Sequence, residues 1–199
     1  MEDRRTQLVE AAISRAVRDG LADTTVRGIA EEAGVSLSTV HYCFASKNDL
    51  LRAVARAIAG PLSAPVTTAI TGLSGDAARG RAGVEEVLRA AFQAYWEVAR
   101  STPGRQLLSY ELTTWSLRSE TGPSVARDLY DSFHATVEGF VDAVSRTCGV
   151  TWSVPVPLLA RTVVATTTGV RLAWLVDHDD DAAQAALDLL ARQLAGEAR

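Results

Sequence analysis

Residues 24–51 read TTVRGIAEEAGVSLSTVHYCFASKNDLL, and two short helical segments meet within them at a glycine. Thr24 and Thr25 are helix N-cap residue types placed ahead of Val26–Ala33. In that segment Val26, Ile29, Ala30 and Ala33 share one face at helical spacing. Gly34 breaks the segment, because glycine takes a positive φ at little steric cost. Ser36 then caps a second segment through Tyr42, buried by Val35, Val40 and Phe44. Ser46-Lys47-Asn48-Asp49 opens a further helix as a variant capping box in which Asp replaces the longer Glu or Gln. Leu50, Leu51, Val54, Ala55 and Ile58 carry that helix to Gly60-Pro61, where it should stop or kink. Two short helices joined by a tight turn, the second opening on Ser36-Leu37-Ser38-Thr39, are the arrangement of a helix-turn-helix. In such a unit the first helix braces the second, whose N-terminal side chains enter the major groove of DNA.

The flanking sequence is helical on both sides. Upstream, Leu8, Ala12 and Ala16 lie beside Val9, Ile13 and Val17 as two adjacent rows at i, i+4, and Gly20 ends the segment. Downstream, helical periodicity covers 83–101, 104–119 and 123–148, then a long apolar segment after Pro155 and Pro157 to about Asp177, and a last one from about Asp181. Residues 72–83 and 149–157 read as loops. The pattern lacks the alternation of strands, so the predicted fold is all-α.

The chain has 199 residues, 47% of them hydrophobic, enough to bury a real core. Its 20 basic and 24 acidic residues give a net charge of −4, which at face value argues against a nucleic-acid partner. Even residues 1–52 carry seven basic side chains against eight carboxylates. Within them, however, Ala33–Asn48 contains no Asp or Glu and holds the chain's one lysine, Lys47. The charge distribution therefore predicts weak non-specific DNA binding and an affinity that depends on a correctly spaced dimer. Cys43 and Cys148 are isolated and form no disulfide framework. The first twenty residues mix charged and apolar side chains at helical spacing, unlike a signal peptide, and no apolar run approaches membrane-spanning length. These features predict a cytoplasmic protein without a membrane partner.

Residues 24–51 resemble the DNA-binding region of the TetR family of bacterial transcription regulators. The matching positions are Thr24, Ile29, Ala30, Ala33, Gly34, Val35, Ser36, Thr39, Val40, Phe44, Ser46, Lys47 and Leu50. The resemblance is specific over about residues 5–55 and vague beyond residue 60. It implies an N-terminal helix-turn-helix DNA-binding domain, residues 1–55, followed by a larger helical ligand-binding and dimerisation domain, residues 56–199. Ser36, Leu37, Ser38 and Thr39 are then expected to face base edges, and Tyr42 to reach a base or the backbone. Lys47, at the start of its helix, is expected on a phosphate, where its ammonium and the helix dipole act together. Arg27, Arg4 and Arg5 are expected as flanking phosphate contacts, and Thr25 is a further candidate DNA contact. His41 stands where the family usually has tyrosine. It either donates an N–H to a phosphate or is a tolerated surface substitution.

The resemblance also implies double-stranded operator DNA, a small-molecule effector and a second copy of the chain as partners. Phe92, Trp96, Tyr110, Glu111, Trp115, Phe133 and His134 are the candidate effector contacts, and they suit a mostly apolar or aromatic ligand. Each aromatic has an ordinary core reading as well, and Glu111 equally suits a surface ion pair. Ala165, Gly169 and Ala173, four residues apart, form a close-contact row either between two copies or within the chain. No nucleophile motif, phosphate loop or metal-ligand spacing is present, so no catalytic residue, metal or cofactor is expected. The run Asp177-His178-Asp179-Asp180-Asp181 reads as a solvated loop that feeds negative charge to the last helix. The predicted function is a repressor released from its operator by the effector. The competing reading is a helical small-molecule binder or enzyme with a vestigial helix-turn-helix.

Overall fold

The structure, a computed structural model, describes residues 2–59, 79–120 and 123–199. Among these residues it is built of helices: α1 (Glu2–Asp19), α2 (Val26–Glu32), α3 (Leu37–Cys43), α4 (Lys47–Ala59), α5 (Gly80–Ser101), α6 (Pro103–Arg118), α7 (Pro123–Cys148), α8 (Val156–Asp177) and α9 (Asp180–Gly196). The only pairing of extended backbone among them is an isolated bridge between Trp152 and Ala198. The all-α expectation holds. The stop at Gly60-Pro61 and most of the expected loop 72–83 lie outside the described residues. The end of that loop is helical, since α5 begins at Gly80 and buries Gly83.

The described helices form two compact units. In the first, α1–α4 pack with α6 and the opening turns of α7, up to Asp131. The second contains α5, the rest of α7, α8 and α9. The units therefore do not follow a single cut at residue 55/56. Helix α6 joins the helix-turn-helix because it packs on both α1 and α4, burying Leu108 and Leu112 there. Arg105 is ion-paired to Glu10 at 2.5 Å. Arg52 reaches the start of α7, donating to Ser124 Oγ at 2.6 Å and pairing with Asp128 at 3.3 Å. Ser116, fully buried on α6, accepts the backbone N–H of Ala126 at 2.9 Å, a donor in the first turn of α7.

The core of the first unit is the face anticipated for α1: Leu8, Val9, Ala12, Ile13 and Ala16 are all buried. Val17, placed on the same face by its spacing, is 43% exposed. It lies beyond the packed stripe, against Gly104. A Cβ built on Gly104 would sit 2.4 Å from Val17 Cγ1, so α1 and α6 approach here only because residue 104 has no side chain. In the second unit α9 packs against α5 and α8, and Val87, Leu88, Val163, Leu187, Leu190 and Leu194 form its centre. The chain end is held by a short backbone ladder: Thr151 and Arg199 exchange hydrogen bonds at 3.0 and 2.9 Å, and Ser153 N donates to Glu197 O at 2.8 Å.

Candidate functional site

The helix-turn-helix is set by caps and by grips from α1. Thr25 Oγ1 accepts the Gly28 N–H at 3.1 Å and starts α2. Gly34, with φ +63°, makes the turn. Ser36 Oγ accepts the Thr39 N–H at 3.3 Å and starts α3, while lying 2.7 Å from Ser38 Oγ and 2.9 Å from Thr39 Oγ1. Three hydroxyls thus cluster on the leading edge of α3. Val40 and Cys43 hold the back of this helix in the core, and Phe44 follows them inward. From α1, Gln7 Nε2 donates to Ala33 O at 2.9 Å. Arg5 donates to Cys43 O and lies over the Phe44 ring at 4.3 Å. Arg5, expected beside a phosphate, is thus engaged in holding the C-terminal end of α3.

Ser36, Leu37, Ser38, His41 and Tyr42 are exposed and Thr39 is half-buried, so the expected base-facing positions share one outward surface. Tyr42 is the most open of them, at 75%. Lys47 is exposed at the start of α4, and its Nζ donates to Thr24 O at 3.3 Å. That bond leaves two ammonium donors and fixes where they point. Arg27 is exposed and pairs loosely with Glu31 at 3.8 Å. Thr25 is exposed, with its hydroxyl committed to the α2 cap. Behind this surface Arg18 bonds Glu32 at 2.9 Å, tying α1 to α2. The Arg18 hydrogen bond holds the Glu32 carboxyl below its ordinary pKa, and Glu32 raises the pKa of Arg18 in turn.

The seven expected effector contacts are divided between the two units. Tyr110, Glu111 and Trp115 lie half-buried on α6 in the first. Glu111 has a definite partner there: Oε2 accepts the Leu21 backbone N–H at 2.9 Å. Phe92 and Trp96 are buried on α5 in the second unit, and Phe133 and His134 are half-buried on α7. Phe92 packs on Phe140 with ring centroids 6.4 Å apart, and Trp96 meets Trp174 edge-on at 5.4 Å.

The second unit also holds a polar group that aromatic clustering did not single out. Arg171 on α8 is 3% exposed; its guanidinium lies 5.8 Å from the Phe133 ring centroid and donates to Thr168 Oγ1 at 3.4 Å. Tyr95 on α5 is 9% exposed, and its hydroxyl is buried beside the Thr167 hydroxyl. Burial pushes the phenol pKa up, while the Arg171 guanidinium and the Thr167 hydroxyl act in the opposite direction. A signal for Arg171 was present: it is a lone cation among apolar and hydroxyl side chains in TTTGVRLAWLV. Among the described residues no helix is long and apolar enough to cross a membrane, and no cluster of His, Cys, Asp and Glu could hold a metal ion.

Residues 8–54, from the core of α1 to α4, match the family of bacterial regulatory proteins described as the tetR family. The chain is 26% identical over 178 residues to the nicotine-responsive transcriptional repressor HdnoR of Paenarthrobacter nicotinovorans, covering 89% of this chain and 87% of that protein. Its fold is shared with a transcriptional regulator from Rhodococcus sp. Rha1, at TM-score 0.73, 22% identity, and 98% and 97% coverage. The multidrug binding protein EbrR, solved with imidazole, superposes at TM-score 0.68 with 26% identity, covering 96% of this chain and 94% of that one. The helix-turn-helix is thus matched in sequence to the tetR family of bacterial regulatory proteins, and the fold is shared along almost the whole chain with a transcriptional regulator.

Proposed function

We propose that this protein is a homodimeric transcriptional repressor of the cytoplasm that binds operator DNA through α3 and leaves it when a small molecule binds. The observation that carries this reading is the outward surface of Ser36, Leu37, Ser38, His41 and Tyr42, clamped from behind by Arg5, Gln7 and the Val40–Phe44 anchor. A side chain rigidly presented on a short helix reads base edges; the same side chain on a loose loop does not. Direct readout rests on three clustered hydroxyls, the apolar Leu37 and the ring of Tyr42, which suit thymine methyls and DNA shape.

Dimerisation follows from the geometry of operators, whose half-sites lie about 34–36 Å apart. The surface suited to it runs along α8, where Leu158, Ala165, Gly169, Leu172, Ala173 and Val176 are exposed, and continues on α9 at Leu189. An effector that prefers the conformation with mis-spaced α3 helices lowers DNA affinity by linkage, and DNA lowers effector affinity equally. In this reading the protein carries out no chemistry on its ligand.

The test is binding to duplex DNA from the region upstream of the protein's own gene, across a salt series. Lys47→Ala weakens binding to all sequences and flattens the salt slope by about one unit. Thr39→Ala instead alters the ranking of sequences. Absence of sequence-dependent binding at low salt, with the dimer intact, overturns the reading, and turnover of a bound ligand favours an enzyme.

A further inference from the structure

Two side chains from one turn of α1 reach the two helices of the helix-turn-helix at the same kind of atom. Gln7 Nε2 donates to Ala33 O at 2.9 Å, just past the end of α2, and an Arg5 N–H donates to Cys43 O at the end of α3. The last carbonyls of a helix have no partner within it, so a donor from outside completes them. Arg5 does more than donate. Its guanidinium lies 4.3 Å from the centre of the Phe44 ring, and that ring is buried directly after α3. A cation here also complements the partial negative charge of the helix C-terminus. Arg5 is half-buried, whereas Arg4 beside it is exposed and bonds Gln7 Oε1 at 3.1 Å.

We infer that Arg5 is a positioning residue for DNA sequence reading: it fixes the last turn of α3, and with it His41 and Tyr42, instead of placing its own charge on a phosphate. This inference rests on the operator-binding reading above and assigns a residue to its selectivity. His41 and Tyr42 directly precede Cys43 and are exposed. With seven residues, α3 makes few hydrogen bonds of its own, so its direction depends on what holds its ends. Ser36 fixes the start by accepting the Thr39 N–H. Val40 and Cys43 bury the inner side, but apolar contact is non-directional. A hydrogen bond to one carbonyl and a stack on one ring plane are directional. The guanidinium supplies both at once, its edge to Cys43 O and its face to Phe44, which the point charge of a lysine cannot do. Side chains that read bases need such support, because placement must hold to within about 0.5 Å.

A phosphate contact and a positioning residue leave different marks on DNA binding. Loss of a phosphate contact weakens binding to every sequence and flattens the salt dependence by about one unit. Loss of a positioning residue leaves counterion release as it was and lowers the affinity for the preferred sequence alone.

The test uses the full-length protein, its preferred duplex chosen from DNA upstream of its own gene, and poly(dI-dC) as non-specific DNA, each titrated across a salt series. Arg5→Met is expected to weaken binding to the preferred duplex about tenfold, with poly(dI-dC) affinity held within about twofold and both salt slopes unchanged. Arg5→Lys restores the charge without the selectivity, so its ratio of preferred to non-specific affinity stays about fivefold or more below the parent. Phe44→Leu lowers the same ratio about threefold, and its effect is not additive with Arg5→Met, because both changes remove one contact. Helical content and thermal unfolding are measured for each variant. If Arg5→Met does not fold, Arg5→Lys and Phe44→Leu carry the test through the same ratio. A slope that falls by about one unit, or a selectivity restored by lysine, makes Arg5 a phosphate contact and overturns the inference. So does a proportional loss of both affinities that tracks the folded fraction. A parent that binds all sequences alike rejects the operator reading and this inference with it, whereas a selective parent whose selectivity survives Arg5→Met rejects this inference alone.

Discussion

The Glu111 carboxylate on α6 accepts the backbone N–H of Leu21 at 2.9 Å, ninety residues away in sequence. Leu21 is buried and sits in the turn that leads from α1 to α2. A donor left unpaired there costs about 1–3 kcal/mol. Glu111→Ala is expected to lose that amount in denaturant unfolding, while Glu111→Gln, which keeps a carbonyl acceptor, recovers most of it. Equal stability of the alanine and glutamine variants would show that the bond contributes nothing.

The α1–α6 approach at Gly104 and Val17 predicts a compensating pair. Gly104→Ala drives a methyl to within 2.4 Å of Val17 Cγ1, and overpacking of this kind costs about 1–3 kcal/mol. Val17→Ala alone has little effect, because the side chain is partly exposed. Combined, the two changes should restore stability, and a double-mutant cycle by thermal unfolding measures the coupling.

Acid should release the α1–α2 tie. The Glu32 carboxyl is lowered from its ordinary 4.5 by Arg18, so its stabilising effect is fully present above that value. It is lost as the pH falls through the depressed folded-state value, where the folded protein takes up the proton. Glu32→Gln is therefore less stable than the parent at pH 7, and the difference in Tm closes under strongly acidic conditions. The pair is solvent-exposed, so the difference is small and shrinks with salt. A Tm gap independent of pH would contradict this account.

The exposed row on α8 predicts the oligomeric state. A Cβ on Gly169 meets nothing within 4 Å in the single chain, so Gly169→Ala should not harm the monomer and favours the helix by up to about 1 kcal/mol. Gly169→Arg is expected to leave the helical content intact while shifting the protein from dimer to monomer in sedimentation, with weaker operator binding. A dimer unaffected by the arginine would place the interface elsewhere.

The helix-turn-helix was legible because its determinants are local. Thr25 and Ser36 cap their helices with their own side chains, and Gly34 turns with a positive φ. Such signals act within four residues, so reading along the chain finds them. The apolar rows of α1, α5 and α7 were legible for the same reason: a 3.6-residue period is a property of sequence. The acidic total averages over a local feature that the sequence does show: Ala33–Asn48 carries no carboxylate.

Other features depended on neighbours far away in the chain. Arg5 looked like a phosphate contact because an arginine near a DNA-reading helix usually is one, yet its guanidinium closes over Phe44. Glu111 stood open between a ligand and an ion pair, and its partner proved to be a backbone N–H that no side-chain pattern reveals. Helix α6 joined the first unit through Gly104 and Leu108, whose burial depends on α1 and α4 being there to cover them. Sequence by itself determined the helices, their caps and the outward face of α3, because dihedral preference and periodicity are local. Only tertiary structure decided which helix completes the first unit and that Arg171 and Tyr95 are buried in the second, because burial and charge pairing depend on which distant residues the fold brings together.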